Sequence, residues 1–278
     1  MSDALVLGGG GVAGIAWITG LLAGLADVGR DVTEADLIVG TSAGSTVAAQ
    51  IGSGLSLDEL YARQTDPARQ AAEIPADLDV ESYSAEFASI LARGGTAAQV
   101  RRAVGAFALK AGTVPEERRR TVIESRLPSH QWPSRALAII AVDADTGEPR
   151  VFRNDSGVSL VDAVAASCAV PGIWPAATIS GHRYIDGGVR SIANADYATG
   201  HDRILVVLPL PEGELFPAET PFPDVFTSLR AAGAAVTVVA PDDASLTAIG
   251  TNPLDPATRG PAAEAGRAQG RSLELAGY

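Results

Sequence analysis

Leu37-Ile38-Val39-Gly40-Thr41-Ser42-Ala43-Gly44 is an apolar run that feeds straight into a G-x-S-x-G pattern. A β-strand passing into that pattern and then into a helix holds its serine on a sharp turn. The two glycines stand where side chains would collide with the neighbouring strand and helix. The turn sets the Ser42 hydroxyl at a helix N-terminus, where free backbone N–H groups and the helix dipole favour negative charge. That position suits a nucleophile, and it makes acyl-ester chemistry the leading expectation. The plainer alternative is a tight strand-to-helix turn whose serine only caps the helix.

Upstream lies a second strand-to-helix unit. The strand Ala4 to Leu7 meets Gly8-Gly9-Gly10-Gly11, and a helix follows with Ile15, Ile18, Leu21, Leu22 and Leu25 on one face at helical spacing. Consecutive glycines after a strand let backbone N–H groups converge on one anionic oxygen, with the helix dipole behind them. Gly9, Gly11 and Gly14 also match the dinucleotide fingerprint G-x-G-x-x-G. That reading needs an acidic residue closing the second strand. Here the second strand closes in Gly40-Thr41-Ser42 and Asp36 precedes it, so a nicotinamide or flavin site is the weaker alternative and no cofactor is expected.

From Leu57 to about Leu127 the pattern is helical and more polar, with a break at Gly94-Gly95, and reads as an insertion lying over one end of the sheet. Its run Glu117-Arg118-Arg119-Arg120 reads as a solvated helix face, with contact to a phosphate head group as the weaker alternative. Ala136 to Val142 is a strand, and Asp145-Thr146-Gly147-Glu148 a turn leading to Val151-Phe152. Leu160 to Ser167 is helical and stops before Val170-Pro171-Gly172, and Arg183-Tyr184-Ile185 is a strand ending at Asp186-Gly187-Gly188. Ile204 to Leu208 and Ala235 to Val239 complete a mostly parallel sheet. Strand and helix alternate, which is the α/β pattern. The expected division is one catalytic domain over residues 1–210, including the insertion at about 57–127, with 211–278 packed on it as a C-terminal extension.

At 278 residues the chain can bury a full core, and its 46% apolar but only 5% aromatic content fits α/β packing rich in alanine and glycine. The net charge of −12 argues against nucleic acid and against simple electrostatic capture by anionic lipid. One cysteine, Cys168, excludes an internal disulfide, suits a reducing cytoplasm, and reads as a core thiol. Met1-Ser2-Asp3-Ala4 has no basic segment of the signal-peptide kind. Three long uncharged stretches, Ala4 to Ala26, Leu37 to Leu57 and Ala163 to Gly181, are each interrupted by turn residues, which a lipid-exposed backbone does not tolerate. Asp143 and Asp145 flank a turn that could hold a cation, but no transition-metal cluster is spelled out and no metal is expected.

Ester hydrolysis through a serine needs a base for its proton. The chain has three histidines, His130, His182 and His201. The order Ser42, Asp186, His201 formally satisfies an α/β-hydrolase triad, although Ser42 follows only the second strand and His201 has no special local geometry. Asp186 ends a strand before two glycines, and an aspartate serves as base when burial raises its pKa.

Leu7-Gly8-Gly9-Gly10-Gly11-Val12-Ala13-Gly14, Gly40-Thr41-Ser42-Ala43-Gly44, Ala166-Ser167-Cys168-Ala169-Val170-Pro171-Gly172 and Asp186-Gly187-Gly188, in that order and spacing, resemble the patatin-like phospholipase family over about residues 4 to 210. The resemblance implies a three-layer α/β/α fold and acyl hydrolysis of lipids by a Ser-Asp dyad without histidine. Carried over, Ser42 is the nucleophile, Asp186 the base, and Gly9, Gly10 and Gly11 the oxyanion donors, with Gly14, Gly40, Gly44, Gly187 and Gly188 as motif glycines. It also implies a lipid or acyl-ester substrate, transient contact with a membrane surface, a cytoplasmic or peripheral location, and no stable protein partner. The family usually places Arg or Lys where this chain has Ala13, and losing that cation beside the oxyanion loop shifts the expected substrate, a phospholipid, lysophospholipid or neutral ester, toward neutral esters or lysolipids. A catalytically weak acyl-lipid binding protein and an acyltransferase on the same scaffold are the alternatives.

Overall fold

The computed structural model describes residues 1–76, 80–210 and 215–275. Strand β1 (Asp3–Leu7) leads through the glycines into helix α1 (Gly11–Asp27), and β2 (Leu37–Thr41) leads through Ser42 into α2 (Ala43–Ile51). The insertion is four helices: α3 (Leu57–Thr65), α4 (Val80–Ala92), α5 (Ala97–Ala108) and α6 (Glu116–Arg126). Ser56 with Glu59 and Thr96 with Gln99 form capping boxes that start α3 and α5. Then come β3 (Ala136–Asp143), β4 (Pro149–Phe152), α7 (Leu160–Ser167), β5 (Ala177–Ile179), β6 (His182–Asp186) and β7 (Arg203–Val207). The chain closes with α8 (Phe222–Ala231), β8 (Ala235–Val239), α9 (Asp243–Ile249) and α10 (Arg259–Ser272).

The eight strands of the described residues share one sheet, in the order β5-β6-β3-β2-β1-β7-β8, with β4 pairing β3 on the side. The five strands from β3 to β8 along this order are parallel, while β4, β5 and β6 are antiparallel additions. Successive residues of β1 face opposite layers: Leu5 and Leu7 meet α1, α2 and α7, while Ala4 and Val6 meet the 192–198 segment and α8. A sheet buried on both faces explains why its strands read as continuous apolar runs. A third cluster joins α4 and α5, through Ile90, Val100 and Val104, to Val142 at the far end of β3 and to Ile185 and Val189. The insertion therefore caps the edge where the parallel strands end. No helix of the described residues is long and apolar enough to cross a membrane.

Three local expectations change. Helix α1 is buried on nearly all sides and not on one face alone, because α10 covers its alanines and glycines. A Cβ on Gly20 or Gly24 would overlap the carbonyl oxygens of Ala263 or Arg267, and one on Gly266 or Gly270 would overlap those of Trp17 or Leu21. The run Glu117 to Arg120 is not uniformly solvated: Glu117 and Arg118 are exposed, but Arg119 turns inward and is buried. The turn after β3 satisfies its own aspartate, since Asp143 Oδ1 accepts from the N–H groups of Asp145 and Thr146. The expected division after residue 210 falls against 211–214, which lie outside the described residues.

Candidate active site

Sheet register brings the two expected partners together. Thr41 pairs with Ile140, so Ser42, one residue on, stands level with Ala141, and Ala141 pairs with Asp186 on β6. The serine and the aspartate thus flank one strand, two strand spacings or roughly 10 Å apart between backbones. Both lie at the carboxyl edge of the parallel strands, where open α/β sheets place their ligands.

The elbow is strained. Ser42 has φ 53° and ψ −115°, a region that costs a non-glycine residue roughly 1–3 kcal/mol and persists only when the surroundings enforce it. The enforcement is visible. A Cβ on Gly44 would overlap the carbonyl of Leu7, and one on Gly40 would lie 2.6 Å from Ser45 Cα, so only glycines let β1, β2 and α2 meet this closely. The Ser42 N–H donates to Ser167 Oγ at 2.9 Å, and Ser167 Oγ donates to the Ile140 carbonyl at 2.6 Å. Cys168 Sγ lies 3.2 Å from the Ser42 carbonyl, buried beneath the turn as a core thiol.

The glycine loop is not uniform. Gly8 donates to Val207 O at 2.9 Å and Gly9 to Ile192 O at 3.0 Å, so the Gly9 amide, one of the three expected donors, is committed to the scaffold. The N–H groups of Gly10 and Gly11 have no acceptor among the described residues, and neither has that of Ala43, the first residue of α2. Ala43 was not anticipated from the sequence. The signal for it was the elbow itself, which leaves the amide after the serine at a helix start without an internal partner.

Asp186 is 5% exposed. Its Oδ1 accepts the Gly188 N–H at 2.7 Å, its own N–H donates to Ala169 O at 3.0 Å, and its Oδ2 is buried with no hydrogen-bond partner among the described residues. Burial pushes its pKa up to about 6, against the opposing pull of the Ser42 hydroxyl, the Gly188 amide and the Arg119 charge. The Ser42 hydroxyl acts on this carboxylate without a hydrogen bond inside 3.5 Å, a looseness common in unliganded sites. Asn194, also missed in the sequence, ties the two halves together. Its Nδ2 donates to Thr41 Oγ1 at 3.0 Å and to Gly187 O at 3.2 Å, linking the residue before the serine to the residue after the aspartate.

Ser42, Asp186 and Gly9 to Gly11 share the wall of a cavity of about 490 Å³ whose remaining lining is mainly apolar, with Phe87, Leu91, Ile192 and Phe216 prominent. Its size is that of a small-molecule site. None of the three histidines lines it. His130 is exposed beside Glu124, and His182 pairs with Asp143 at 3.2 Å on the sheet's flank. His201 precedes β7 at the opposite edge of the sheet, a strand's length or roughly 16 Å away. The formal triad Ser42, Asp186, His201 is not assembled. Ala13, where a basic residue was the family's norm, is fully buried, and its N–H donates to Pro253 O at 2.9 Å. The cation whose charge reaches Asp186 is Arg119 of α6.

The model of the family described as patatin-like phospholipase matches residues 5–199. No curated protein sequence matches the chain. Among solved structures, VipD from Legionella pneumophila aligns with 86% of this chain and 50% of its own at 12% identity, with a TM-score of 0.39. The type III effector protein ExoU aligns with 98% of this chain and 54% of its own at 16% identity, with a TM-score of 0.36. This chain spans about half the length of either protein. The family match covers the glycine loop, the serine elbow, the insertion and the aspartate loop in one continuous span, and the chain belongs to the patatin-like phospholipase family.

Proposed function

We propose that the chain is a serine acyl hydrolase that cleaves fatty-acyl esters through Ser42 and Asp186, without a metal or an organic cofactor. The observation that carries this reading is the pairing of a strained, buried serine with a buried carboxylate whose Oδ2 has no other partner among the described residues, on the wall of one apolar cavity. Asp186 Oδ2 takes the Ser42 proton as Oγ attacks the ester carbonyl. A carboxylate held near pH 6 is ionised at neutral pH yet basic enough for this task. The Gly10 and Gly11 amides, with Ala43 as a third candidate, receive the oxyanion of the tetrahedral intermediate, aided by two helix N-termini. The acyl chain occupies the apolar cavity. Collapse of the intermediate returns the proton from Asp186 to the leaving alcohol, and a water activated by the same carboxylate then releases the fatty acid.

Replacing Ser42 by Ala tests the reading. Turnover of a p-nitrophenyl ester and labelling by a fluorophosphonate should both disappear, while the thermal midpoint holds or rises as the strained residue loses its polar tip. Wild-type turnover in that variant would place the chemistry elsewhere.

A further inference from the structure

A second, smaller pocket opens at Ser42, and unlike the apolar cavity it is lined in part by buried charged side chains. Glu73, Arg119 and Arg126 line it together with Gly11, Ser42, Val170 and Trp174. Gly11, Ser42, Val170 and Leu254 belong to both pockets, so the two meet at the serine. Its free volume is about 20 Å³, room for one oxygen-sized group.

The charges around it do not balance. Glu73, with its side chain 3% exposed, accepts from Arg126 Nε and Nη2 at 2.8 and 2.6 Å and from Arg259 Nη2 at 2.8 Å. Arg119 Nη1 stands 3.8 Å from the same carboxylate. Three buried guanidinium groups therefore surround one buried carboxylate. Arg126 and Arg259 are held by Glu73, and Arg259 also by the Ala71 carbonyl. Arg119 makes no hydrogen bond to Glu73. It is 6% exposed, its Cζ lies 3.8 Å from the centre of the Trp174 ring, and two of its nitrogens, Nε and Nη1, have no hydrogen-bond partner among the described residues, against one, Nε, in Arg259. Stacking on the indole fixes the plane of the guanidinium and leaves its donor edge as the part able to bind. Buried cationic donors without an acceptor are rare in folded proteins, because desolvation is then uncompensated.

Resting on the proposed ester hydrolysis at Ser42, the geometry points to Arg119 as the anion-binding residue of a leaving-group subsite, which seats an anionic oxygen carried on the alcohol side of the ester while the acyl chain fills the apolar cavity. The charges of the subsite come from the helical insertion, while the glycine loop contributes backbone at Gly11 and no cation, its Ala13 being sealed beneath Pro253. A pocket of oxygen size admits a phosphoryl oxygen and leaves any head-group alcohol outside. Selectivity is therefore for the phosphate and not for what is attached to it.

The test compares phosphatidylcholine with diacylglycerol of the same chains in mixed detergent micelles. The zwitterionic lipid adds a phosphate without giving the surface a net charge. The ratio of the two kcat/KM values should favour the phospholipid by tenfold or more in the wild type. Arg119→Gln should lower that ratio at least tenfold, Arg119→Lys should recover part of it, and Arg118→Gln, an exposed neighbour, should leave it as it was. The ratio is insensitive to any change in Asp186 basicity, which acts on both esters alike. Arg119→Met, whose stem still covers Trp174, serves if the Gln variant fails to fold. Inorganic phosphate should compete with the phospholipid; if it instead activates turnover of both lipids, the pocket serves a free phosphate and the leaving-group assignment is wrong. A wild-type ratio near one, or a ratio that survives removal of the charge, also overturns it. A binding arm needs no turnover: the Ser42→Ala protein should hold monomeric dihexanoylphosphatidylcholine about tenfold tighter than its Arg119→Gln double variant. Loss of hydrolysis with this difference intact sinks the hydrolase reading alone, whereas equal binding sinks the subsite.

Discussion

Glu73 and Asp186 are both buried carboxylates on the walls of pockets that meet at Ser42, yet their surroundings drive them in opposite directions. Burial opposes ionisation in both. Around Glu73 it is outweighed by Arg126, with Arg119 and Arg259 behind it, and the pKa falls below the ordinary range. Around Asp186 only a serine hydroxyl, one amide and the charge of Arg119 favour the ionised form, and burial prevails. One carboxylate becomes a permanent structural anion and the other a group able to exchange a proton at neutral pH. The difference lies in what each neighbourhood supplies, not in the side chain.

The largest effect expected from breaking this contrast is at Glu73. Glu73→Gln leaves Arg126 and Arg259 without the carboxylate that holds them and Arg119 with only the Asp186 charge, and should destabilise the fold by about 3–5 kcal/mol, a fall of roughly 5–15 °C in thermal midpoint. A loss below 1 kcal/mol would mean that solvent reaches the cluster. Asp186→Asn is the opposite experiment. Turnover should fall about 10²-fold or more, as for a positioned base, while stability at pH 8 should rise by up to about 3 kcal/mol. The gain follows from the raised pKa. The wild type binds a proton more tightly folded than unfolded, so its contribution to stability is complete below about pH 4 and disappears as pH climbs through about 6. Denaturation from pH 4 to 8 should therefore show the Asn variant gaining only on the alkaline side.

The same pKa predicts that kcat/KM rises about tenfold per pH unit up to about 6 and is level above 7. A plateau already reached at pH 4.5 would remove Asp186 as the base. The smallest effect belongs to His201, at the far edge of the sheet. His201→Gln should alter turnover by less than about twofold, and a loss of several orders of magnitude would restore the triad that the register argues against.

The elbow was legible because its demands are local. Gly40 must be glycine because Ser45, five residues on, lies against it, and Gly44 because the first strand runs beside it, the commonest arrangement for such a turn. Asp186-Gly187-Gly188 was legible only as part of a set, since in isolation it reads as an ordinary turn. What stayed hidden depends on partners distant in sequence. Gly9, Gly10 and Gly11 look equivalent until the Ile192 carbonyl claims one amide. Arg118, Arg119 and Arg120 look like one charged face, but neighbours on a helix point about 100° apart. Which of them turns inward is decided by Glu73 and Trp174, 46 residues before and 55 after Arg119. Asn194 carries no motif at all, and its role exists only because Thr41 and Gly187 converge on it. The three-residue strand β5 was too short to register as a pattern.

The backbone contact between α1 and α10 has a mechanical consequence. Glycines let the two helices touch without intervening side chains at Gly20, Gly24, Gly266 and Gly270. A joint of that kind has no rotamers with which to absorb a displacement. Helix α1, whose first turn presents the Gly10 and Gly11 amides, is therefore seated on an incompressible bearing, while the wall facing it is built from the side chains of α4 and of Phe216. For the proposed acyl substrates, tolerance of different length or branching falls to that softer wall. Variants selected for new esters should accumulate at Phe87, Leu91 and Phe216 and leave the α1–α10 seam untouched.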